Sequence, residues 1–422
     1  MFLYWPALLI GRLARVLIRL VRKGGGSALP GLILSKIAPG ILWRVLDSFP
    51  GGLVIITGSA GKSTTTKMLV AIARGHGMNV FTNPSTANIL QGFYSTIIEK
   101  SSLAGSIHAD VAILEMDEAH AESLTTKVAP RQVTVMNVME DQLDRFVDPS
   151  LVREDLAKVA ARATESVVLN ADDQNTIMIG DGVADKLVSW FGIEPQITSA
   201  HGGLQTAPTY LPDRKRPSSS SEVLKYNSTT IAIESSGQLH EVTLPARGLH
   251  FALDAVAAFE SARRLLGSKF DAEKAARALN EVPPVFARGE MVQVRGESVE
   301  FILVQNPGSM QLNLDNLTTN PEQILFGIGR DVHDPSWLWT VDYSNLSHVD
   351  ICTGYNAHEA ALTLLYKGVP VADTTDDLED AIERFFALPK PGRGHKTVIF
   401  SADVMRRMRR ALGFWSPEEV ER

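Results

Sequence analysis

The segment TGSAGKSTT at residues 57–65 constrains this chain more than any other part of its sequence. It completes the apolar run GLVIITG and opens a stretch with helical periodicity, so it predicts a strand, a glycine-containing loop and a helix in succession. In such an arrangement, backbone N–H groups and the helix N-terminus bind phosphate oxygens. We therefore predict a nucleotide-binding loop whose contacts come from Thr57, Gly58, Ser59, Ala60, Gly61, Lys62, Ser63 and Thr64.

Two side chains of this loop carry specific chemistry. The Lys62 ammonium group can reach the β and γ phosphates, and the Ser63 hydroxyl can bind Mg²⁺. Ile56 stands where the longer G-x-x-x-x-G-K-[ST] pattern has its first glycine, so the loop has the shorter form T-G-x-x-G-K-[ST]-T. A Gly-Lys-Ser sequence after a strand is otherwise a structural turn, but the second glycine and the run of threonines favour nucleotide binding.

Apolar strands and helical segments alternate in two blocks of the chain. VAILEM, QVTVMNV and SVVLNAD follow the loop, and VEFILVQ, QILFGIG, VDICTG and KTVIFSA form the second block. Strands separated by helices predict parallel sheets that are covered on both faces. We expect an α/β protein with a lead-in at 1–45, a central P-loop domain with a parallel sheet at 46–290, a loop-rich insertion with a small β element at about 194–245, and a Rossmann-like α/β domain at 291–422.

The first residues, MFLYWPALLIGRLARVLIRLVRK, predict an amphipathic helix. Apolar side chains recur at helical spacing, and arginines interrupt the run too often for a membrane span or a signal peptide. The apolar side consists of Trp5, Leu9, Leu13, Val16, Leu17 and Leu20, with the arginines opposite. The helix either packs on its own protein or rests on an anionic membrane surface, and the sequence leaves both interpretations open.

Composition excludes some classes of function. The formal charge of −7 and the sequence pI near 5.8 argue against nucleic-acid binding, which needs clustered Lys and Arg. A single cysteine, Cys352, cannot form an intramolecular disulfide or a cysteine zinc ribbon, and its apolar context predicts a buried side chain. A reducing, cytoplasmic location fits best, with contact at the inner membrane surface as the open alternative.

Carboxylates follow one of the apolar strands. In ILEMDEAH the strand ends at Glu115, Asp117 and Glu118, and the carboxyl ends of parallel strands are where such sheets bind ligands. Glu115 and Glu118, together with the Ser63 hydroxyl, are candidate ligands of Mg²⁺. The alternative is an acidic start of a helix that complements the helix dipole.

Polar residues also follow the next strand. NVMEDQLDRF places Asn137 directly after QVTVMNV and continues with Asp141, Gln142 and Asp144. Near a nucleotide these side chains could order metal or substrate, and Asn137 is our candidate nucleotide contact. As isolated residues they would more often cap a helix.

The order of these segments resembles the central ATPase domain of the Mur ligase family. TGSAGKSTT, NPSTANILQG, LEMDE, NVMEDQLDRF and VVLNADD occur in that order, and Gln142, NPGS at 306–309 and GRDVHDPSWLWTVDY are similar to the MurT branch of the family. The resemblance covers nearly the whole chain apart from the insertion. The phosphate loop alone is shared with many nucleoside triphosphatases, whereas the combination of segments is specific.

The resemblance implies a reaction in peptidoglycan biosynthesis. It implies ATP- and Mg²⁺-dependent amidation of the D-glutamate α-carboxylate of the lipid II stem peptide through an acyl phosphate, with Lys62 catalytic and Arg288 as the hinge arginine at the nucleotide. It also implies a heterodimer with a GatD-like glutaminase that supplies ammonia. Asp334, or as the second choice Asp331, would orient the histidine of that partner. A capped turn after QILFGIG is the alternative role for these two residues.

Some positions depart from the family pattern. Ala60 replaces the usual asparagine of the loop, Ser63 replaces the commoner threonine, and Thr340 stands where an aspartate is expected. The insertion lacks the four cysteines of a zinc ribbon, so we predict no zinc. These departures leave two alternatives open: a divergent Mur-type carboxylate–amine ligase with another substrate, and a non-catalytic nucleotide-binding scaffold.

Overall fold

A computed structural model describes most of the chain. The described residues are 4–21, 28–83, 90–102, 106–139, 148–201, 206, 207, 209, 211–283, 288–315, 317, 321–392 and 394–414.

Nine strands form the first sheet. They are Leu53–Thr57 (β1), Val80–Phe81 (β2), Val111–Glu115 (β3), Gln132–Val135 (β4), Ser166–Asn170 (β5), Val188–Ile193 (β6), Ser221–Asn227 (β7), Thr230–Ser235 (β8) and Gln238–Thr243 (β9). The order across the sheet is β2-β3-β1-β4-β5-β6-β7-β8-β9, and the strands from β2 to β7 pair in parallel.

Eleven described α-helices belong to this half of the chain. They are Trp5–Val21 (α1), Ala28–Ile37 (α2), Gly40–Asp47 (α3), Lys62–Gly75 (α4), Leu90–Lys100 (α5), Glu118–Thr125 (α6), Pro149–Ala161 (α7), Gln174–Gly180 (α8), Pro195–Ala200 (α9), Leu249–Leu266 (α10) and Ala272–Asn280 (α11). Short 3-10 helices lie at Asp185–Leu187 and Gly267–Lys269.

The central strands of the first sheet are covered on both faces, and successive side chains of each strand point to opposite faces. In β1, Leu53 and Ile55 join a core with α3, α5 and α7, whereas Val54 and Ile56 join a second core with α4 and α10. Every residue of β1, β3, β4 and β5 is buried. The unbroken apolar runs that the sequence shows are therefore those of a sheet covered on both sides.

The segment at about 194–245 is joined to the first sheet. β7 pairs in parallel with β6, and β7, β8 and β9 then form an antiparallel meander at the edge. The small β element that the sequence predicts is thus an extension of the central sheet rather than a separate body. Alternating exposed and buried residues in β9 reflect one solvent-facing side.

The N-terminal helices pack on the first domain. Leu34, Ile41, Leu42 and Leu46 of α2 and α3 are buried in the same core as α5. Among the described residues, no single helix is long and apolar enough to cross a membrane; the pair Leu29–Ile37 and Gly40–Asp47, bent by 94°, passes on length and composition.

The second sheet contains Arg288–Val294 (β10), Glu297–Leu303 (β11), Ile324–Gly327 (β12), Val349–Thr353 (β13), Val371–Thr375 (β14) and Lys396–Phe400 (β15). Its order is β10-β11-β15-β12-β13-β14, and only the β10–β11 pair is antiparallel. The helices are Pro307–Asp315 (α12), Ala357–Tyr366 (α13), Leu378–Ala387 (α14) and Ala402–Ala411 (α15), with a 3-10 helix at Pro335–Thr340. The sheet begins three residues before the predicted boundary at 291, and Cys352 is buried in β13.

Candidate active site

Three neighbouring strands bring the predicted nucleotide residues together. β3, β1 and β4 lie side by side, with Ile56 opposite Glu115 and Thr57 opposite Val135. Because the three strands are parallel, their carboxyl ends meet at one edge. The chain after β1 runs toward β2 on one side of the sheet, whereas the chain after β4 runs toward β5 on the other side. This switch point is where open α/β sheets bind ligands.

The loop between β1 and α4 depends on two glycines with positive φ. Gly58 has φ 116° and Gly61 has φ 84°, values that side chains other than glycine rarely allow. A Cβ atom on Gly61 would lie 2.2 Å from Oδ1 of Asp254, and one on Gly58 would lie 2.8 Å from the Asn137 carbonyl oxygen. The two glycines let the loop curl tightly over α10 and β4.

Asn137 holds this loop in place. Its Oδ1 accepts a hydrogen bond from the Ala60 N–H at 2.8 Å, its Nδ2 donates to the Ala60 carbonyl at 3.3 Å, and its own carbonyl accepts from the Ser59 N–H at 3.0 Å. The Met139 N–H donates to Ser59 Oγ at 3.0 Å. The sequence predicts Asn137 as a nucleotide contact, whereas the structure gives its amide a role in shaping the loop.

Lys62 lies at the base of the loop and is largely buried. Its Nζ donates to the carbonyl oxygens of Gly58 and Ser59 and to Glu118 Oε1, the last at 3.2 Å. Glu118 is the first residue of α6, and its side chain is almost fully buried. The pair places a cation, with a carboxylate as its partner, where the phosphates of a nucleotide would lie.

Ser63 and Glu115 form the second polar pair of the edge. Ser63 Oγ donates to Glu115 Oε1 at 2.9 Å. The backbone of Glu115 is fixed by the Asn83 side chain, because its N–H donates to Asn83 Oδ1 and its carbonyl oxygen accepts from Asn83 Nδ2. A hydroxyl and a carboxylate oxygen side by side are the donors that Mg²⁺ prefers. Ser63 and Glu115 therefore fit a magnesium ion that is also held by nucleotide phosphates, whereas Glu118 is engaged with Lys62.

No group of three or more His, Cys, Asp or Glu side chains that could hold a metal occurs among the described residues.

Asp173 is a support that sequence reasoning missed. It caps α8 through the Asn175 N–H, and its Oδ2 accepts from the Val138 N–H at 2.7 Å, one residue beyond Asn137. Burial raises the pKa of Asp173 to about 6, although these hydrogen bonds act in the opposite direction. The sequence signal that could have identified it is its position as the second aspartate of VVLNADD. This segment ends β5, the strand that lies beside β4 in the sheet.

A cleft separates this edge from the C-terminal domain. It is lined by Met139, Thr206, Pro307, Gly308, Gln311, Thr340 and Val341. Gly308 approaches Met139 closely, since a Cβ atom on it would lie 3.2 Å from the Met139 sulfur. The NPGS segment and Thr340 therefore face the loop that supports the phosphate site.

Asp331 and Asp334 lie elsewhere, in the loop after β12 of the second sheet. Asp331 Oδ1 accepts from Ser401 Oγ at 2.7 Å, which ties it to the end of β15. Asp334 is exposed and caps the 3-10 helix through the Ser336 N–H at 2.9 Å. Hydrogen bonding from Ser336 lowers the pKa of Asp334 below its usual value, so the carboxylate stays charged.

Several predicted residues cannot be placed. Asp141, Gln142 and Asp144 lie outside the described residues, as do positions 84–89 of the NPSTANILQG segment. Arg288 begins β10, but its side chain lies outside the described part of the structure.

Comparison with known proteins agrees with this architecture. A family model described as the Mur ligase middle domain matches residues 56–262, and one described as the MurT ligase C-terminal domain matches residues 303–401. The chain belongs to the Mur ligase family. Its two matched regions, in this order, place it in the MurT branch of that family.

A relative and a solved structure extend this similarity over most of the chain. The MurT subunit of the lipid II isoglutaminyl synthase (glutamine-hydrolyzing) from Streptococcus pneumoniae is 25% identical, with 87% of this chain and 88% of the relative covered. The MurF ligase of Thermotoga maritima, solved in complex with ADP, has the same fold with a TM-score of 0.65 at 17% identity, covering 93% of this chain and 84% of the other.

Membership of the Mur ligase family implies that the protein binds ATP. The loop after β1 is the candidate place, because Lys62 and the Ser63–Glu115 pair lie together at a helix N-terminus. The family also makes the chain an enzyme of the ATP-dependent ligase class.

Proposed function

We propose that this Mur ligase is the ligase subunit of a lipid II isoglutaminyl synthase. It amidates the α-carboxylate of D-glutamate in the stem peptide, using ATP, Mg²⁺ and ammonia from a GatD-like glutaminase. The observation that carries the proposal is the combination of the Lys62, Ser63 and Glu115 edge with a C-terminal domain of the MurT type. The relative from Streptococcus pneumoniae carries this activity in its name.

The chemistry follows from the poor reactivity of a carboxylate toward ammonia. Transfer of the γ-phosphoryl group onto the carboxylate gives an acyl phosphate, in which phosphate is a good leaving group. Ammonia then attacks the carbonyl carbon, and the amide and inorganic phosphate form. Two anions must meet in the first step, so catalysis is mainly positioning and neutralisation of charge.

Lys62 and the loop amides supply most of that neutralisation from this chain. The carbonyl oxygens of Gly58 and Ser59, which now accept from Lys62 Nζ, would be replaced as its partners by phosphate oxygens. Ser63 and Glu115 would hold Mg²⁺, which adds positive charge at the transferring phosphoryl group. Glu118 keeps Lys62 aimed at the loop.

Ala60 is compatible with this role. Its backbone N–H and carbonyl both bind the Asn137 side chain. The conformation of the loop therefore does not depend on the asparagine side chain that the family usually has at this position. Thr340, which stands where an aspartate is expected, lines the cleft between the two domains and makes none of the hydrogen bonds of Lys62, Ser63 or Glu115 described above.

Features near Asp334 support a protein partner. α13, which packs against the 3-10 helix after Asp334, exposes Leu362, Leu365 and Tyr366, and Tyr355 is exposed nearby with Arg330 over its ring. Exposed apolar side chains grouped in this way are typical of protein–protein contacts. A charged, exposed carboxylate beside them is suited to orient a histidine of the glutaminase.

The test uses the chain purified together with a glutaminase of the GatD type. The complex is incubated with lipid II, ATP, Mg²⁺ and glutamine, and the stem peptide is analysed by mass spectrometry for the conversion of a carboxylate to an amide. We expect amidated lipid II from the wild-type complex and none from the Lys62→Ala complex. ATP turnover without amidation of lipid II, or no ATP turnover with partner and substrate present, would overturn the proposal in favour of another acceptor or of a scaffold.

A further inference from the structure

Helix α1 exposes its apolar side to solvent. Leu9 is 42% exposed, Leu13 56% and Leu17 62%, and Trp5, Ile10 and Val16 are exposed on the same part of the helix. Their spacing of three and four residues puts them on one face. We call this set of six residues the apolar stripe.

The opposite side of α1 binds the protein. Ala7 and Leu8 are buried in the core, and Gly11 allows close approach to α5, since a Cβ atom on it would lie 2.8 Å from Ile98 Cδ1. Arg12 donates to the carbonyl oxygens of Ile98, Ser101 and Ser102 at the end of α5. Arg15 pairs with Glu99 at 3.0 Å.

The arginines therefore orient the helix. Arg12 binds carbonyl groups at the C-terminal end of α5, where cations are favoured, and so fixes the rotation of α1 about its axis. Of the two interpretations that the sequence leaves open, packing on the protein does occur, but through the arginine side rather than the apolar side. The side chain of Leu20 lies outside the described residues.

The positive charge of the N-terminal segment indicates which kind of surface the apolar stripe would contact. Residues 1–46 contain seven Lys or Arg side chains and no Asp or Glu, whereas the whole chain has a formal charge of −7. Arg19 belongs to α1, and Arg22 and Lys23 follow it in the sequence. Lys36 and Ile37, at the end of α2, are exposed side by side.

We propose that α1 docks the protein on an anionic phospholipid bilayer, with the apolar stripe in the acyl region and the exposed Lys36 and the net positive charge of residues 1–46 at the level of the headgroups. An interfacial helix of this kind combines buried apolar area with attraction to negative lipids. Its axis lies parallel to the surface, because the arginine side stays attached to α5. The inference does not depend on the reaction that the Mur ligase catalyses.

The experiment measures co-sedimentation of the full chain with vesicles of phosphatidylcholine alone or of phosphatidylcholine and phosphatidylglycerol in equal amounts. We expect binding to the anionic vesicles only, weakened when ionic strength rises from about 0.1 M to about 0.5 M. The double variant Leu13→Gln, Leu17→Gln removes two members of the stripe, and its binding should fall at least about tenfold.

A matched control keeps the result specific. Leu151→Gln, Leu239→Gln changes two leucines that are 47% and 50% exposed and lie outside α1. Its vesicle binding should equal that of the wild type, and ATP binding should be the same in all three proteins. Quenching of Trp5 fluorescence by brominated lipid, lost in Trp5→Phe, provides a second readout of insertion.

Three results would overturn the proposal. The first is absence of wild-type binding to the anionic vesicles. The second is equal binding by the wild type and the stripe variant. The third is that the wild type does not bind vesicles but associates with itself or with the glutaminase, and that the stripe variant loses this association. A protein surface would then cover the stripe.

Discussion

The edge at β1 and the loop after β12 both carry candidate site residues at the carboxyl ends of parallel strands, and these residues differ in burial. At the first, Glu115 and Glu118 are 3% and 4% exposed, and both make hydrogen bonds within the site. At the second, Asp334 is exposed and makes one turn-capping hydrogen bond.

The difference reflects what each place has to meet. Phosphoryl transfer needs fixed donors in a site with little water, because electrostatic stabilisation is strongest there. A group that completes another subunit's site has to stay accessible until the partner arrives. Burial thus separates, within one Mur ligase, the residues of its own chemistry from those proposed to serve a partner.

The largest effect is expected from Lys62→Ala. Loss of the ammonium group should lower the rate of ATP turnover by about a thousandfold or more, since it removes the main cation of the phosphate site. Single-turnover hydrolysis of ATP by the complex with lipid II measures this. Lys67→Ala, an exposed lysine on the same helix, is the control and should leave the rate nearly unchanged.

Asp334→Asn tests the exposed carboxylate after β12 that is proposed to serve the partner. Amidation driven by glutamine should fall by about a hundredfold, because the partner's histidine loses its orienting charge, while amidation driven by added ammonium salts should stay near the wild-type rate. Asp331→Asn is run in parallel. An equal loss with both nitrogen sources would mean that Asp334 acts on the fold or on the ligase site instead.

Ser63→Ala probes the metal pair. Removal of the hydroxyl that meets Glu115 should lower turnover by about tenfold and raise the Mg²⁺ concentration needed for half-maximal rate. Ser63→Thr keeps a hydroxyl and should restore both values. The measurement is a Mg²⁺ titration at saturating ATP, and an unchanged Mg²⁺ requirement in Ser63→Ala would remove Ser63 from the metal site.

The smallest effect concerns pH. Asp173 has a pKa raised to about 6 in the folded state, so the folded protein binds more protons than the unfolded chain between the unfolded pKa and about pH 6. Its contribution to stability therefore decreases as pH rises, by on the order of 1 kcal/mol between about pH 5 and 7. Asp334, whose pKa is lowered, has the opposite sign and loses its charge only in more acidic solution.

Denaturant unfolding of the wild type and Asp173→Asn at several pH values checks this. The difference in free energy of unfolding between the two proteins should change over that range, because the variant has no carboxyl to titrate. A difference that is constant with pH would show that Asp173 titrates alike in the folded and unfolded chains.

The sequence by itself determined the elements that depend on local pattern. Apolar runs and glycine positions act over a few neighbouring residues. They predict the strand after residue 52, the loop that follows it, the helix from Lys62 and the alternation of strands and helices. The meeting of Ser63 with Glu115 was also predictable, because parallel strands end at a common edge once their order is guessed.

Only the tertiary structure decided which atoms of the site act on one another and which faces are covered. Asn137 binds the loop backbone, and Asp173 at the start of α8 accepts from the N–H of Val138, the residue after Asn137. The apolar side of α1 points outward because Arg12 is held by the end of α5. The physical reason is that a periodic pattern defines a face without defining its partner. That choice depends on hydrogen bonds between residues far apart in the chain, for which a single sequence carries no local signal.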